Sequence, residues 1–286
     1  MNSSFFLNEI ISSEQNPKFK IWKSLLQSKG RKKENLFLLS GEKVITDFVN
    51  DLKENSISST FKIETILIPK KNSDEKTQNL LKSLNSLPLN SFNSSKKLIF
   101  FSLETSLFSE LDIIGSHFPI LVIHFEDLQR VLTLQDLAKP EGLEILCPIG
   151  DPGNLGSLAR TALAFGVKKI ILTKNSCDPF HPKCLKSSSG AILKNHLIYL
   201  DKNLNDITIS ELDENNFGLD FGGISLEKFL WPENIRLWLG EEGPGLITFP
   251  KKQILSIPIK QVESLNVTVA GSLAIYSYFQ KHMVRS

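Results

Sequence analysis

The chain has 286 residues, a formal net charge of +2, 41% apolar residues and 22% charged residues. This length allows two ordinary domains or one large one, and no stretch approaches the roughly 20 consecutive apolar residues that a membrane-spanning helix needs. The composition therefore excludes a membrane-embedded chain, and the small net charge means that any attraction to nucleic acid must come from local basic patches.

The N-terminus and the cysteines both indicate a cytoplasmic protein. The opening MNSSFFLNEIISSEQNPKFK lacks the basic start, the long apolar run and the small-residue cleavage site of a secretory signal. Cys147, Cys177 and Cys184 are too few and too unevenly placed for a disulfide framework, which fits a reducing compartment. His181 lies between two of these thiols, but the paired spacing of a zinc site is missing, so no metal is expected.

The first predicted element is an amphipathic helix over residues 17–28, whose apolar residues recur at helical spacing and leave a basic side. Seven basic residues lie between positions 18 and 33, with no acid among them until Glu34: Lys18, Lys20, Lys23, Lys29, Arg31, Lys32 and Lys33. Such a run predicts contact with an RNA backbone. The alternative is a solvated helix face.

Strands and helices then alternate in the N-terminal part. Strands are predicted at residues 36–39, 63–68, 98–101 and 120–125, and helices at residues 42–52 and around residues 80–84. A break near Lys139, Pro140 and Gly142 predicts a domain boundary between residues 129 and 142. We take residues 1–135 as a smaller N-terminal α/β domain and residues 136–286 as the second domain.

The second domain shows a regular alternation. Strands are predicted at residues 143–149, 169–173, 196–199, 217–219, 235–239 and 254–257, helices at 155–165 and 182–185, and a long final helix from residue 265. This order predicts an α/β fold with a mostly parallel sheet covered by helices.

The segment GDPGNLGSLARTALAFGV, residues 150–167, reads as a tight turn followed by a helix. Asn154 is a plausible N-cap, and Gly166 fits the position that closes the helix. Arg160 falls outside the apolar stripe of this helix, so it is either a functional cation or a solvated residue.

Two further segments carry candidate chemistry. LWLGEEGPGL is an apolar strand that runs into Gly240, Gly243 and Gly245, where the backbone could approach a ligand closely or simply bend. In IPIKQVESLNVTVAGSLAIYSYF a strand end joins the final helix, with Ser264 as a plausible N-cap and Asn266 in the first turn. That helix is apolar around most of its circumference, which predicts a subunit interface.

Taken together and in this order, DPGNLGxLxRTAxAFG, GEEGPG and IPIxxxxESLNVxVA resemble the three motifs of the SpoU (TrmH-like) RNA 2′-O-ribose methyltransferases of the SPOUT superfamily. The resemblance covers about the last 145 residues. It implies an S-adenosylmethionine-dependent enzyme that methylates a ribose 2′-hydroxyl of RNA, a trefoil knot in the C-terminal domain, and a homodimer in which the motif arginine reaches the partner's site.

The resemblance also implies roles for individual residues. Reaction roles fall on Asn154, Arg160, Glu242, Ser264 and Asn266, and cofactor binding falls on Gly240, Gly243, Ile257 and Leu265. In KCLKSSSGA, Lys186 stands where the family usually has an RNA-contacting arginine. The N-terminal part is similar to the ribosomal-protein-like RNA-binding domain of many SpoU enzymes, which favours rRNA, and 23S rRNA in particular, over tRNA.

Two other classes stay open at this point. A catalytically silent RNA-binding or ribosome-assembly protein could retain the fold without the activity. A nucleotide-dependent oxidoreductase would also have an α/β fold, although the GxxGxG order found here differs from its GxGxxG fingerprint.

Overall fold

The computed structural model describes residues 6–57, 60–70, 74–93, 99–241, 245–246 and 249–283. The chain divides into two compact units: the first contains residues up to Asp127 together with Phe180–Lys194, and the second contains Leu128–Pro179 and the chain from Asn195 onward. This division differs from the single boundary predicted after residue 135. A segment inside the C-terminal half is assigned to the first unit because of its tertiary contacts, and these cannot be read from the order of elements along the chain.

The first unit is built on a five-stranded sheet in the order β1-β4-β3-β5-β2. Strands β1, β4 and β3 are parallel, and β5 runs antiparallel to both of its neighbours. Its elements in chain order are β1 (Phe6–Ile11), α1 (Pro17–Ser24), α2 (Ser28–Glu34), β2 (Leu36–Leu39), α3 (Glu42–Lys53), β3 (Phe61–Pro69), α4 (Glu75–Asn85), β4 (Ile99–Leu103), α5 (Thr105–Leu111) and β5 (Ile120–Phe125).

In place of the single helix predicted over residues 17–28, the chain forms α1, which ends at Ser24, and α2, which begins at Ser28. They pack so closely that a Cβ at Gly30 would lie 2.1 Å from the Ser24 carbonyl oxygen. Arg31 explains the break: its side chain is buried at 1% exposure and its guanidinium donates a 2.7 Å hydrogen bond to the Leu25 carbonyl. The carbonyl of Leu25 at the end of α1 therefore accepts from a charged side chain and not from the backbone N–H that a further helical turn would have supplied.

The second unit is built on a seven-stranded sheet in the order β12-β10-β11-β7-β8-β9-β6, and its strand pairings are parallel. The predicted parallel α/β fold is thereby confirmed, whereas the trefoil knot stays a prediction. The elements are β6 (Gln129–Val131), β7 (Leu143–Cys147), α6 (Pro152–Ala164), β8 (Lys169–Leu172), α7 (Pro182–Ser187, in the segment assigned to the first unit), β9 (Leu197–Leu200), β10 (Asn216–Ser225), β11 (Ile235–Trp238), β12 (Ile254–Ser256) and α8 (Val267–Met283).

A buried ion cluster crosses the middle of this sheet. Arg236 on β11, Glu144 on β7 and Lys169 on β8 are in register on neighbouring strands. The Arg236 guanidinium donates from Nε and Nη2 to Glu144 Oε2 at 3.1 and 2.8 Å, and Lys169 Nζ lies 2.8 Å from Glu144 Oε1. The Glu144 side chain is fully buried, so both of its oxygens obtain charged partners inside the protein.

An aromatic cluster joins the returning segment to the first unit. The ring of Phe180 stacks on Phe37 with 4.8 Å between centroids, and it also contacts Phe125 and Phe61 at 4.5 and 5.9 Å. Such ring pairs favour close contact beyond the apolar area that they bury. The cluster explains why residues that lie between β8 and β9 in the chain are assigned to the first unit.

Among the described residues, no helix is both long enough and apolar enough to cross a membrane.

Candidate active site

Helix α6 begins at Pro152 and not at the predicted residue 155, because its N-cap is Asp151 and not Asn154. The Asp151 carboxylate accepts a 2.9 Å hydrogen bond from the Asn154 backbone N–H. Pro152 at the first helical position fixes this start, since proline needs no hydrogen-bond partner there and disfavours a helical residue before it. The side chain of Asn154 is therefore not required for the cap. Gly166, with φ of +70°, closes the helix as predicted.

Helix α8 also begins at a different cap, Asn266 in place of the predicted Ser264. Asn266 Oδ1 accepts from the backbone N–H of Thr268 at 2.9 Å and of Val269 at 3.3 Å. Its amide nitrogen donates to Asn154 Oδ1 at 3.3 Å, and the Thr268 hydroxyl donates to the Asn154 carbonyl at 3.0 Å. The first turns of α6 and α8 are thus joined through two asparagines that the sequence singled out separately.

A cavity of about 540 Å³ lies beside this junction, within the size range of small-molecule and cofactor sites. Five residues with predicted roles line it: Gly240, Ile257, Ser264, Leu265 and Asn266. They follow β11 and β12, so the cavity lies at the carboxyl ends of the parallel strands.

The other predicted site residues have different positions. Asn154 reaches the cavity wall through Asn266. Arg160 is exposed on α6 and does not belong to the described lining. Glu242 and Gly243 lie outside the described residues.

Glu241 and Gly245, in the glycine-rich segment after β11, lie close together. Backbone hydrogen bonds of 2.8 and 3.0 Å join Glu241 and Gly245 in both directions. A Cβ at Gly240 would lie 2.7 Å from the Gly245 carbonyl carbon, so Gly240 is required by the close approach of the chain itself. Of the two reasons that the sequence left open, close approach of a ligand or a bend of the backbone, this contact accounts for Gly240 by the bend.

Part of the cavity wall lies on β10 and was not predicted from the sequence. This strand pairs with β12 through Leu219 and again through Ile224, so residues 220–223 bulge out of the ladder. Asp220 and Phe221 line the cavity from this bulge, and Phe221 is 55% exposed. The two adjacent glycines of DFGG, inside a strand, are the signal that could have predicted it.

The basic residues of the first unit form a second candidate site, and Arg31 does not belong to it. Arg31 was expected to face RNA, but its guanidinium is buried at the end of α1, where it donates a hydrogen bond to the Leu25 carbonyl. The other six are exposed: Lys18, Lys20, Lys23, Lys29, Lys32 and Lys33.

Acidic neighbours divide these six lysines into two groups of three. Lys18 pairs with Glu9 at 3.6 Å, Lys23 with Glu110, and Lys33 with Glu34 at 2.8 Å. Hydrogen bonds to Glu110 and Glu34 raise the pKa of Lys23 and of Lys33, respectively. In the described part of the chain, the other three form no ion pair: Lys20, Lys29 and Lys32. Lys186 is exposed on α7.

The second unit has the features of a cofactor-binding α/β protein. The strand order reverses between β7, from which the chain proceeds to β8 and β9, and β11 on its other side. In open parallel sheets, ligands bind outside the carboxyl ends of the strands near such a reversal. The cavity beside β11 occupies this position.

Comparison with known proteins gives the family. Residues 144–276 match the SpoU rRNA Methylase family, and this part of the chain belongs to it. The chain is 28% identical over 271 residues to a protein from Syntrophobacter fumaroxidans named ribosomal RNA small subunit methyltransferase G 2, covering 94% of this chain but only 48% of that relative.

Two more similarities extend over nearly the whole chain. It is 26% identical to the 23S rRNA (guanosine(2553)-2′-O)-methyltransferase RlmP of Bacillus subtilis, over 93% of this chain and 97% of the relative. The fold is similar to that of the SpoU methyltransferase AviRb from Streptomyces viridochromogenes, solved with AdoMet, with a TM-score of 0.72 at 18% identity, covering 94% of this chain and 99% of that one.

Proposed function

We propose that this protein transfers the methyl group of S-adenosylmethionine to a ribose 2′-hydroxyl of RNA. One observation carries the proposal: the cavity brings together residues of the second and third motifs, and a hydrogen bond from Asn266 joins it to Asn154 of the first. The names of the SpoU relatives support the same reaction. The cavity also suits the cofactor, because its wall combines apolar residues such as Leu239 and Ile257 with polar groups such as Asn266.

The reaction requires little chemical apparatus from the protein. The cofactor supplies a methyl group that is already activated on a sulfonium, so the chain must place the hydroxyl in line with it and assist loss of the proton. The linked amides of Asn154 and Asn266 would orient the ribose. Arg160 is protonated at ordinary pH and has no acceptor lone pair, so its role would be to fix a phosphate or stabilise the developing alkoxide.

Incubation of the protein with total RNA and tritiated S-adenosylmethionine tests this function. We expect label in RNA, recovered after alkaline hydrolysis as alkali-resistant dinucleotides, because a 2′-O-methyl group blocks cleavage at that position. RNA binding without any label would instead favour the catalytically silent protein. Mapping 2′-O-methyl sites in cells lacking the protein would then identify the target.

We further propose that the first unit binds the substrate RNA, that the substrate is rRNA, and that the protein works in the cytoplasm. The names of the relatives that match most of this chain favour rRNA. The three lysines without an ion pair in the described structure, on α1 and α2, would provide the contacts to phosphate.

Replacing Lys20, Lys29 and Lys32 together by Ala should weaken RNA binding about tenfold or more at low salt and reduce the slope of log K against log salt by roughly 2–3. The measurement is a filter-binding titration with an rRNA fragment at several salt concentrations. The matched control replaces Lys18, Lys23 and Lys33, whose charges have acidic partners, and should change the slope less. Equal effects of the two triple variants would contradict this assignment.

A homodimer is also part of the proposal. On α8, the apolar side chains of Val269, Leu273 and Tyr276 are 48, 43 and 45% exposed, and Leu163 on α6 is 37% exposed. Exposed apolar residues in such a cluster are typical of a subunit interface. Because Arg160 is not part of the cavity wall of its own chain, a second copy could supply it.

Leu273→Glu should convert the protein from a dimer to a monomer, because the interface would have to bury an unpaired carboxylate. Analytical ultracentrifugation would show the change in mass, and circular dichroism would show whether the fold is retained. The control Leu230→Glu alters an apolar residue that is 91% exposed outside any helix or strand, and it should leave the mass unchanged. A wild-type protein that is monomeric at micromolar concentration would refute the dimer.

A further inference from the structure

The charged side chains that line the cavity of the second unit all have the same sign, among the described residues. Among the described residues that line it, Asp220 and Glu241 are acidic and none is Lys or Arg. A cavity with carboxylates and no basic residue in its described wall favours a ligand with positive charge.

The two carboxylates are held at separate places on the wall. Asp220 lies on the bulge of β10, outside the strand ladder. Glu241 is held through its backbone by Gly245, and Oε1 of its side chain accepts a 2.9 Å hydrogen bond from the Asn175 amide. Neither carboxylate forms an ion pair with a Lys or Arg among the described residues, so neither charge is neutralised locally in that part of the structure.

We propose that Asp220 and Glu241 make this cavity select the charged cofactor over its neutral product. The inference rests on the proposed methyl transfer. In that reaction, the ribose oxygen forms a bond to the methyl carbon, and the bond from this carbon to sulfur breaks. The electron pair of the broken bond stays on sulfur, and the hydroxyl proton leaves to solvent or a phosphate. The sulfonium becomes a thioether, and the net charge of the cofactor falls by one.

The size of the cavity sets the range of the effect. A sphere of this volume has a radius of about 5 Å, so a charge on the wall lies within roughly 5–10 Å of a sulfur near the centre. At these distances the interaction is only partly screened by 0.15 M salt. Because both side chains are within reach of solvent, we expect each to favour the sulfonium about threefold to tenfold. The product would then leave more readily than the substrate cofactor.

Isothermal titration calorimetry with three ligands tests the proposal on the full-length protein. The ligands are S-adenosylmethionine, S-adenosylhomocysteine, and sinefungin, in which an ammonium group replaces the methylated sulfonium. Asp220→Asn and Glu241→Gln should each weaken binding of the two charged ligands about threefold to tenfold. The affinity for S-adenosylhomocysteine should change less than twofold, because the two variants keep the shape and hydrogen-bonding atoms of the wall.

Two controls separate charge in the cavity from other effects. Asp220→Glu keeps the charge and should keep the wild-type preference. Glu227→Gln removes an exposed carboxylate that does not line the cavity, and it should also leave the preference unchanged.

The outcomes are distinguishable. Equal losses for all three ligands in the Asn and Gln variants would overturn the selection by charge and indicate a general binding role. Unchanged affinities would overturn it as well. If the wild-type protein binds none of the three ligands, the proposed function itself fails, and the inference fails with it.

Discussion

Replacing Glu144 by Gln is expected to lower the free energy of unfolding by about 3–5 kcal/mol. The substitution keeps the shape of the side chain but removes the only carboxylate that the described structure places against both Arg236 and Lys169. Arg236 is 3% exposed, so its guanidinium would be left as an uncompensated charge inside the sheet. Urea denaturation followed by tryptophan fluorescence would measure the loss, since Trp238 is fully buried on β11.

Lys169→Met is the matched comparison. The side chain of Lys169 is 18% exposed, and Glu144 would keep its two hydrogen bonds from Arg236. We therefore expect a cost of only about 1 kcal/mol, near the range of exposed pairs. A Glu144→Gln variant that loses less than the Lys169→Met variant would show that the cluster does not hold the sheet together.

Asn266→Ser is expected to lower methyl transfer about a hundredfold with little change in stability. Serine caps a helix about as well as asparagine does, but it is too short to donate to Asn154 Oδ1, which is 3.3 Å from the asparagine amide. Loss of that link would let Asn154 move, and misplacement of a positioning group by about 1 Å can cost this much. Single-turnover assays with saturating cofactor and RNA would measure the rate.

Asn266→Ala separates the two roles of the residue. It removes the cap as well as the link, so it should cost about 1 kcal/mol more stability than the serine variant but show a similar rate. Full activity of Asn266→Ser together with a slow Asn266→Ala would mean that Asn266 serves only to start α8.

Local patterns in the sequence were sufficient to predict the central strands. The apolar runs at β7, β8 and β11 predicted buried parallel strands within one or two residues of their bounds. The caps of α6 and α8 were predicted wrongly, in each case by two or three residues, because Asp151, Asn154, Ser264 and Asn266 are all residue types that can cap. For α6, Pro152 carried the information that decides between the two candidates.

Features that depend on partners distant in the chain could not be predicted. Arg31 is buried where α1 ends and hydrogen-bonds there to Leu25, and a basic run gives no sign of which of its members is buried. Strand β1 was not predicted, because its apolar run is short and flanked by polar residues. It forms a strand through pairing with β4, which is distant in the sequence. The two carboxylates of the cavity wall are a further case, because Asp220 lies on the bulge of β10 and Glu241 follows β11, and only the sheet order brings them to one site.

The segment 180–194, which interrupts the second unit and is assigned to the first, limits how this gene can be divided. A fragment that starts at Leu128 would contain Phe180 without Phe37, Phe61 and Phe125, and the exposed ring would promote aggregation. A fragment that stops at Asp127 would lack the same ring from its core. A single crossover point therefore cannot exchange one unit for another, because residues 180–194 would have to be exchanged along with the first unit.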